Sequence, residues 1–349
     1  MKTLFEKIND AVLQEQEQDA AAILAGANMR KLNRHIRVGR LPGGGWVYQA
    51  VKDEAPVVTA SADYSRIVLV NPEAGSEQTR RFLLRTAFEC RFCREGIVSL
   101  HAACVEKDGY AVAFTGRSGR GKSTRARAWV EALGAAWISG DRPAIRIGAD
   151  GCTACGVPWD GKEQIFRNVE RPLWCIMEVR RSPANYVRRL SEEQARQLIM
   201  KQCFIPMWDV DSAAMAMTNV CNLVRQVPVY RVFCGPEPED AECIHDMLIN
   251  HPEWIRKEAK DMKIKDDFVL RNVVDEFIVL PTGDRIATFD GAVVLNEVSA
   301  FIYRQLENPV SRDDLLTAVL EEYDVDEATA AADLDALLET LASMGVLEK

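Results

Sequence analysis

Apolar residues recur along this chain with two different periods, and the places where the period changes mark its elements. Leu4, Ile8 and Val12, followed by Ala21, Ile23 and Leu24, fall on a helical period and predict a charged amphipathic helix over residues 3–25. Leu41-Pro42-Gly43-Gly44-Gly45 is a hairpin turn leading into a strand from Trp46 to Val51, and residues 56–70 hold two more strand-like runs. An arginine-rich helix is expected over 79–93, closed by Gly96. Next come two apolar runs of strand type, residues 97–105 and 110–115. Residues 125–133 contain neither Pro nor Gly and predict a helix beginning near Ser123. A further apolar strand, Ala135 to Ser139, runs into Gly140-Asp141. Residues 240–249 read as a helix and 256–267 as a charged connector.

The C-terminal stretch follows its own plan. Strands are expected at 268–270 and 276–280, joined through Pro281-Thr282-Gly283-Asp284 to a third at Arg285–Phe289. Helices at 296–307, 312–323 and 327–344 complete it. Ser311 with Asp314 three residues on resembles a capping box, Leu334, Leu337, Leu338 and Leu341 share one helical face, and Gly345 stops the last helix.

Composition narrows the function classes. The 349 residues are too many for one ordinary small domain, and 48% hydrophobic with 27% charged residues is a globular, water-soluble balance. No apolar run approaches the roughly 20 residues of a membrane span, and Lys7 and Asp10 interrupt any signal-peptide core, so a cytoplasmic protein with no membrane partner is expected. Ten cysteines are scattered through apolar surroundings and read as reduced thiols. Two C-x-x-C pairs, Cys90/Cys93 and Cys152/Cys155, lie too far apart in sequence for the usual zinc-ribbon spacing. Residues 267–349 carry 18 acidic and 5 basic side chains, net −13, whereas the preceding chain carries 34 acidic and 38 basic, net +4. The first part suits an anionic ligand, the second repels nucleic acid, and no basic stripe with interleaved aromatics speaks for a nucleic-acid partner.

That anion has an evident seat. Gly116-Arg117-Ser118-Gly119-Arg120-Gly121-Lys122-Ser123-Thr124 fits G-x-x-x-x-G-K-[ST], with an apolar strand before it and a helix after it. Gly116, Gly119 and Gly121 permit positive φ and keep Cβ atoms away from phosphate oxygens. Backbone N–H groups through Ser118 and Thr124 would wrap the phosphates, Lys122 would reach the β- and γ-groups, and Ser123 would offer its hydroxyl to Mg²⁺. ATP with Mg²⁺ is therefore the expected ligand. Asp141, at a strand end, suits metal binding or proton transfer, and His101 stands in the strand preceding the loop strand.

His101, the loop, Asp141 and Gly156-Val157-Pro158-Trp159-Asp160-Gly161-Lys162-Glu163 together resemble the catalytic domain of HPr kinase/phosphorylase, and more closely its relatives that act as serine or peptide kinases. The similarity runs over roughly residues 97–235, through Pro172–Arg181, Arg188-Arg189-Leu190-Ser191, Pro206-Met207-Trp208-Asp209 and Val227-Pro228-Val229-Tyr230. It implies an α/β P-loop kinase domain of the HPr kinase/phosphoenolpyruvate carboxykinase type over 97–250, with residues 1–96 packed on it. It also implies roles: Lys122 and Ser123 on phosphate and metal, Asp141 as catalytic or metal carboxylate, Lys162 as an active-site cation, His101 beside the phosphates. Relatives usually show two adjacent Asp residues where this chain has Gly140-Asp141-Arg142, so Asp141 would either serve both metal and proton or share the work with another acid such as Asp160 or Glu163. Such relatives often assemble into homo-oligomers, a point on which no motif here decides.

After a linker at 251–266, residues 267–349 look like PqqD, the small peptide-binding module (RiPP recognition element) of ribosomal peptide modification systems. The expected unit is a winged-helix-like α+β domain of βββααα order. The resemblance implies that a leader peptide adds a strand beside Arg285, Ala287 and Phe289 and lies along Leu337, Leu341 and Met344. Joined, the two resemblances imply a kinase acting on a precursor peptide. A nucleotide-switched peptide chaperone that transfers no phosphate, and a kinase of free serine or another small molecule, are the alternatives.

Overall fold

The computed structural model describes residues 2–15, 19–52, 57–159, 165–182, 184–255, 262–273, 276–287, 289 and 293–348. They fall into two units, Met1–Lys257 and Glu258–Lys349.

Side-chain alternation builds the first sheet of the larger unit. Its six strands run in the order Val12–Glu15, Ile67–Val70, Val57–Ala60, Trp46–Ala50, Ile36–Arg40 and Asn28–Lys31. Trp46, Tyr48 and Ala50 point into one core with Leu83, Phe88 and Phe92 of the helix Glu77–Arg94. Val47, Val57, Val68 and Val70 point the other way, against Ile23 and Leu24. The helix expected over 3–25 is interrupted: Leu4–Ala11 and Ala20–Ala25 are helical, but Val12–Glu15 pairs in parallel with Ile67–Val70. Val12 and Leu13 gain a strand partner there, and Asp19 caps the second helix through Ala21 and Ala22 N–H groups.

A nine-stranded sheet forms the rest of this unit. The loop strand Tyr110–Thr115 lies between Ala102–Lys107, antiparallel, and the long strand Glu170–Arg181, parallel. Ala111 and Ala113 face helices Glu192–Gln202 and Val210–Gln226, while Val112 and Phe114 face Lys122–Leu133 and Pro238–Ile249. Covered by helices on both faces, the loop strand is buried from Ala111 to Thr115.

The strand expected over 97–105 breaks in two. Ile97–Ser99 pairs with Ala144–Ile147, whereas Ala102–Lys107 pairs with the loop strand. Between them Leu100 N–H donates to the Pro143 carbonyl (3.2 Å) and His101 N–H to the Gln202 carbonyl (2.7 Å). These outside partners satisfy the backbone where the chain changes neighbours, and they set His101 at a strand start.

In the smaller unit, strands Phe268–Val273, Glu276–Pro281 and Val293–Leu295 form an antiparallel sheet in that order. Helices Glu297–Leu306, Arg312–Glu322 and Glu327–Ser343 follow, capped by Asn296, Ser311 and Asp326. Lys263–Ile264 pairs with Leu347–Glu348. The expected third strand at Arg285–Phe289 is not one. Gly283 takes φ 59° and Gly283–Ala287 winds into a 3₁₀ helix, with Arg285 Nε donating to Asp267 (2.7 Å) and Phe289 edge-on to Phe268.

Candidate functional site

Strand register assembles the site in the larger unit. Ala102 stands opposite Thr115, Thr115 beside Glu178, and Cys104 opposite Ser139. His101, Gly116 and Asp141, just outside their strands, therefore lie at one level of the sheet with Glu178, which is inside the strand Glu170–Arg181.

At that level the loop has the backbone its glycines predict: φ is 138° at Gly116, 83° at Gly119 and 88° at Gly121. Gly121 precedes the helix Lys122–Leu133, and no side chain among the described residues caps that end. Its first-turn N–H groups remain for an anionic ligand, aligned with the positive end of the helix dipole. Ser118 is exposed on the loop; in the first helical turn Ser123 is half-buried and Thr124 exposed. Lys122 Nζ folds back onto the Gly116 and Arg117 carbonyls, at 3.1 and 3.3 Å. Burial pulls its pKa below the usual lysine value, with Asp141 opposing and Arg142 adding to the fall. A phosphate would offer this ammonium a full counter-charge in place of two carbonyl dipoles.

His101 Nε2 lies 3.7 Å from Asp141 Oδ1. Burial, then the Lys122 charge, hold the imidazole below its ordinary pKa despite Asp141. Its protonation is thus disfavoured beside the Lys122 ammonium. The Asp141 turn is tied down locally: Ser139 Oγ donates to the Asp141 carbonyl (2.6 Å) and Gly140 N–H to Ile165 (2.7 Å). Lys162, Asp160 and Glu163 lie outside the described residues.

Sequence reasoning missed several groups here. Arg231 Nε (2.6 Å) and Arg180 Nη2 (2.8 Å) both meet the buried Glu178 carboxylate. Arg181 reaches the Gly119 carbonyl at 3.5 Å, and burial together with Arg180, Arg117 and Arg181 depresses the Arg120 guanidinium. This excess of cations over carboxylates favours a polyanion. Arg142 adopts φ 51°, a left-handed conformation that costs a side-chain-bearing residue about 1–2 kcal/mol. Its guanidinium lies 3.6 Å from the buried Glu89. The available signals were an acid on the apolar face of the 79–93 helix and a charged residue wedged between Asp141 and Pro143. Beside the loop a cavity of about 420 Å³ is bounded by Gly121, Thr124, Arg125, Arg181, Cys234 and Gly235. Arg125, itself buried, donates there to Cys234 Sγ (3.1 Å) and the Cys234 carbonyl (2.8 Å).

Among the described residues no group of three or more His, Cys, Asp or Glu is placed to hold a metal. Ser123 and Asp141 offer only an hydroxyl and a carboxylate, which suits Mg²⁺, an ion that keeps waters and rides largely on phosphates. Burial pushes the thiols of both C-x-x-C pairs up, Cys93 and Cys155 to about 12 and Cys152 to about 11. No described helix is long and apolar enough to cross a membrane.

In the smaller unit the residues expected at a peptide groove separate. Leu341 is fully buried in the core with Leu334 and Leu338, whereas Leu337 and Met344 only line its margin. Arg285 lies in the 3₁₀ turn and Phe289 just beyond it, as Ala287 does on the turn's last residue. The third strand, one of the sheet's two outer strands, is instead Val293–Leu295, which pairs with Glu276–Pro281 along one side and presents Val294 at 59% exposure.

Comparison with known proteins bears on this smaller unit. Residues 276–347 match the family of the coenzyme PQQ synthesis protein D, PqqD, so the C-terminal unit carries a PqqD domain. Among solved structures, TbiB1 in complex with the TbiA(beta) leader peptide is 30% identical, with a TM-score of 0.22, over 25% of this chain and 94% of that one. A lasso peptide synthetase B1 complexed with the leader peptide is 20% identical, with a TM-score of 0.22, over 25% of this chain and 98% of that one. No curated protein matches the chain.

Proposed function

We propose that this protein is an ATP- and Mg²⁺-dependent kinase of the HPr kinase type that phosphorylates a Ser or Thr hydroxyl on a ribosomally made precursor peptide. The carrying observation is the union, in one chain, of a glycine loop that converges with Lys122, His101 and Asp141 and a PqqD domain. That domain captures the leader segment of the precursor along the Val293–Leu295 edge, as a further strand. Tethering then holds the acceptor hydroxyl near the loop at an effective concentration on the order of millimolar, so the larger unit needs little affinity for the acceptor itself.

The triphosphate lies on the N–H groups of Gly116–Ser123, with Lys122 leaving its two carbonyls for the β- and γ-phosphates. Ser123 and Asp141 are the residues that would hold Mg²⁺, which would supply positive charge to offset that of the transferring group. Asp141 orients the acceptor hydroxyl and takes its proton as the oxygen bonds to the γ-phosphorus. The bond from that phosphorus to the β,γ-bridging oxygen breaks, ADP leaves with the electron pair, and the proton passes to solvent. Neutral His101 hydrogen-bonds at the rim without adding charge. Most of the rate gain comes from positioning and electrostatics, as phosphoryl transfer requires.

Incubating the full-length protein with γ-labelled ATP, Mg²⁺ and candidate precursors tests this. Label should reach a peptide Ser or Thr, and Lys122→Ala and Asp141→Asn should abolish transfer. Gly140, which leaves Asp141 without an adjacent acid, favours a second reading as a nucleotide-switched chaperone. That reading prevails if ATP stays intact, changes peptide affinity, and does so equally well with Asp141→Asn.

A further inference from the structure

Arg142 combines three properties that a surface residue after a turn does not need. Its backbone is left-handed, with φ 51°, and it precedes Pro143, which disfavours helical backbone in the residue before it. Glycine would take this conformation freely. Its guanidinium is not loose: Nη1 lies 3.6 Å from Glu89 Oε1, and that carboxylate is 3% exposed. Glu89 is fixed in turn by Ser99 Oγ, which donates to it at 2.7 Å from the strand leading to His101. A bond from Leu100 N–H to the Pro143 carbonyl locks the turn onto that same strand. Buried ion pairs are poor stabilisers, because desolvation offsets their attraction, so stability is a weak reason to keep this one on a strained backbone. Position is a better reason. Arg142 directly follows Asp141, remains partly open with a side chain 27% exposed, and its charge is felt by both Lys122 and His101.

We propose that Arg142 contacts the terminal phosphate of the bound nucleotide, and that Glu89 is the positioning residue that aims it. A guanidinium has five N–H donors in a rigid fork, so one edge meets Glu89 while the others face the phosphate. This rests on the kinase reading. Next to Asp141 in the chain, Arg142 neutralises charge on the group being transferred, and so separates a nucleoside triphosphate from a diphosphate.

Calorimetry on the full-length protein with Mg²⁺, using ADP and the β,γ-imido analogue of ATP, tests it without relying on turnover. The unaltered protein should bind the analogue more tightly than ADP. Arg142→Gly, which removes the side chain and relieves the backbone, should weaken the analogue at least tenfold and leave ADP within twofold. Arg142→Lys should retain part of the preference. Glu89→Gln should lower analogue affinity about threefold or more, with ADP again unchanged. A wild-type ratio of the two affinities in Arg142→Gly, or an equal loss of both ligands from a protein that melts normally, would overturn the assignment. If the unaltered protein binds neither nucleotide, the kinase reading fails as well; if it binds both and only the ratio is insensitive to Arg142, the kinase reading stands and this inference alone falls.

Discussion

Leu341 and Val294 make opposite predictions for the C-terminal unit, although either could be taken for a peptide contact. Leu341 is 0% exposed and packs with Leu315, Leu334 and Leu338, so Leu341→Ala leaves a cavity in the centre of the PqqD domain. Leu→Ala at such sites costs roughly 2–5 kcal/mol, lost transfer energy plus the unfilled space. Against a typical domain stability of about 5–15 kcal/mol this is a large share. At roughly 4–8 °C per kcal/mol for a domain of this size, the transition should fall by about 8–40 °C. Val294 is 59% exposed on an outer strand, and Val294→Asp should change stability by no more than about 0.5 kcal/mol. It places a carboxylate where a docked strand would bring its own side chains, and should weaken leader-peptide binding about tenfold. Scanning calorimetry of the full chain, with fluorescence anisotropy of a labelled leader peptide below the lower transition, separates the effects. The reasoning is refuted if Leu341→Ala melts normally yet binds poorly, or if Val294→Asp binds as well as the unaltered protein.

Gly156→Ala should be severely destabilising, because the added Cβ would collide with the Arg167 carbonyl oxygen; circular dichroism melts should show loss of the larger unit's cooperative transition. Arg94→Met should cost about 3–5 kcal/mol in urea titrations, since it removes the cation 3.4 Å from the buried Asp209 carboxylate, whereas Arg94→Met with Asp209→Leu should recover much of the loss. Cys93 and Cys155 have folded-state pKa values raised by burial to about 12, so the unfolded chain releases those protons first as pH rises. Their contribution to stability is complete below about pH 9 and is lost between about pH 9 and 12; Cys155→Ala should flatten that alkaline decline in pH-dependent unfolding. At pH 8 these thiols should also resist alkylation in the native state and react once the chain is unfolded.

What the amino-acid order determined by itself was whatever depends on neighbours in sequence. The backbone of the glycine loop is legible because Gly116, Gly119 and Gly121, between an apolar strand and a helix, are the residues that take positive φ freely, and they do. The last three helices are legible because Asn296, Ser311 and Asp326 satisfy first-turn N–H groups a few residues away. Only the tertiary structure decided what depends on pairing and burial. Strand register brings His101 to Asp141 across forty residues, and the same pairings break the expected strand at His101. A one-residue shift would send those side chains to opposite faces, and nothing local in the sequence forbids it. Near Arg285 local pattern misled for a related reason: apolar alternation is equally compatible with a strand and with a short turn anchored by Asp267, and the choice fell to distant partners. Leu341 and Leu337 share one helical stripe, and only packing against the sheet made one of them core and the other margin. The pairing of Glu89 with Arg142 belongs to the same class, since two charges on separate elements reveal their contact only when the chain has folded.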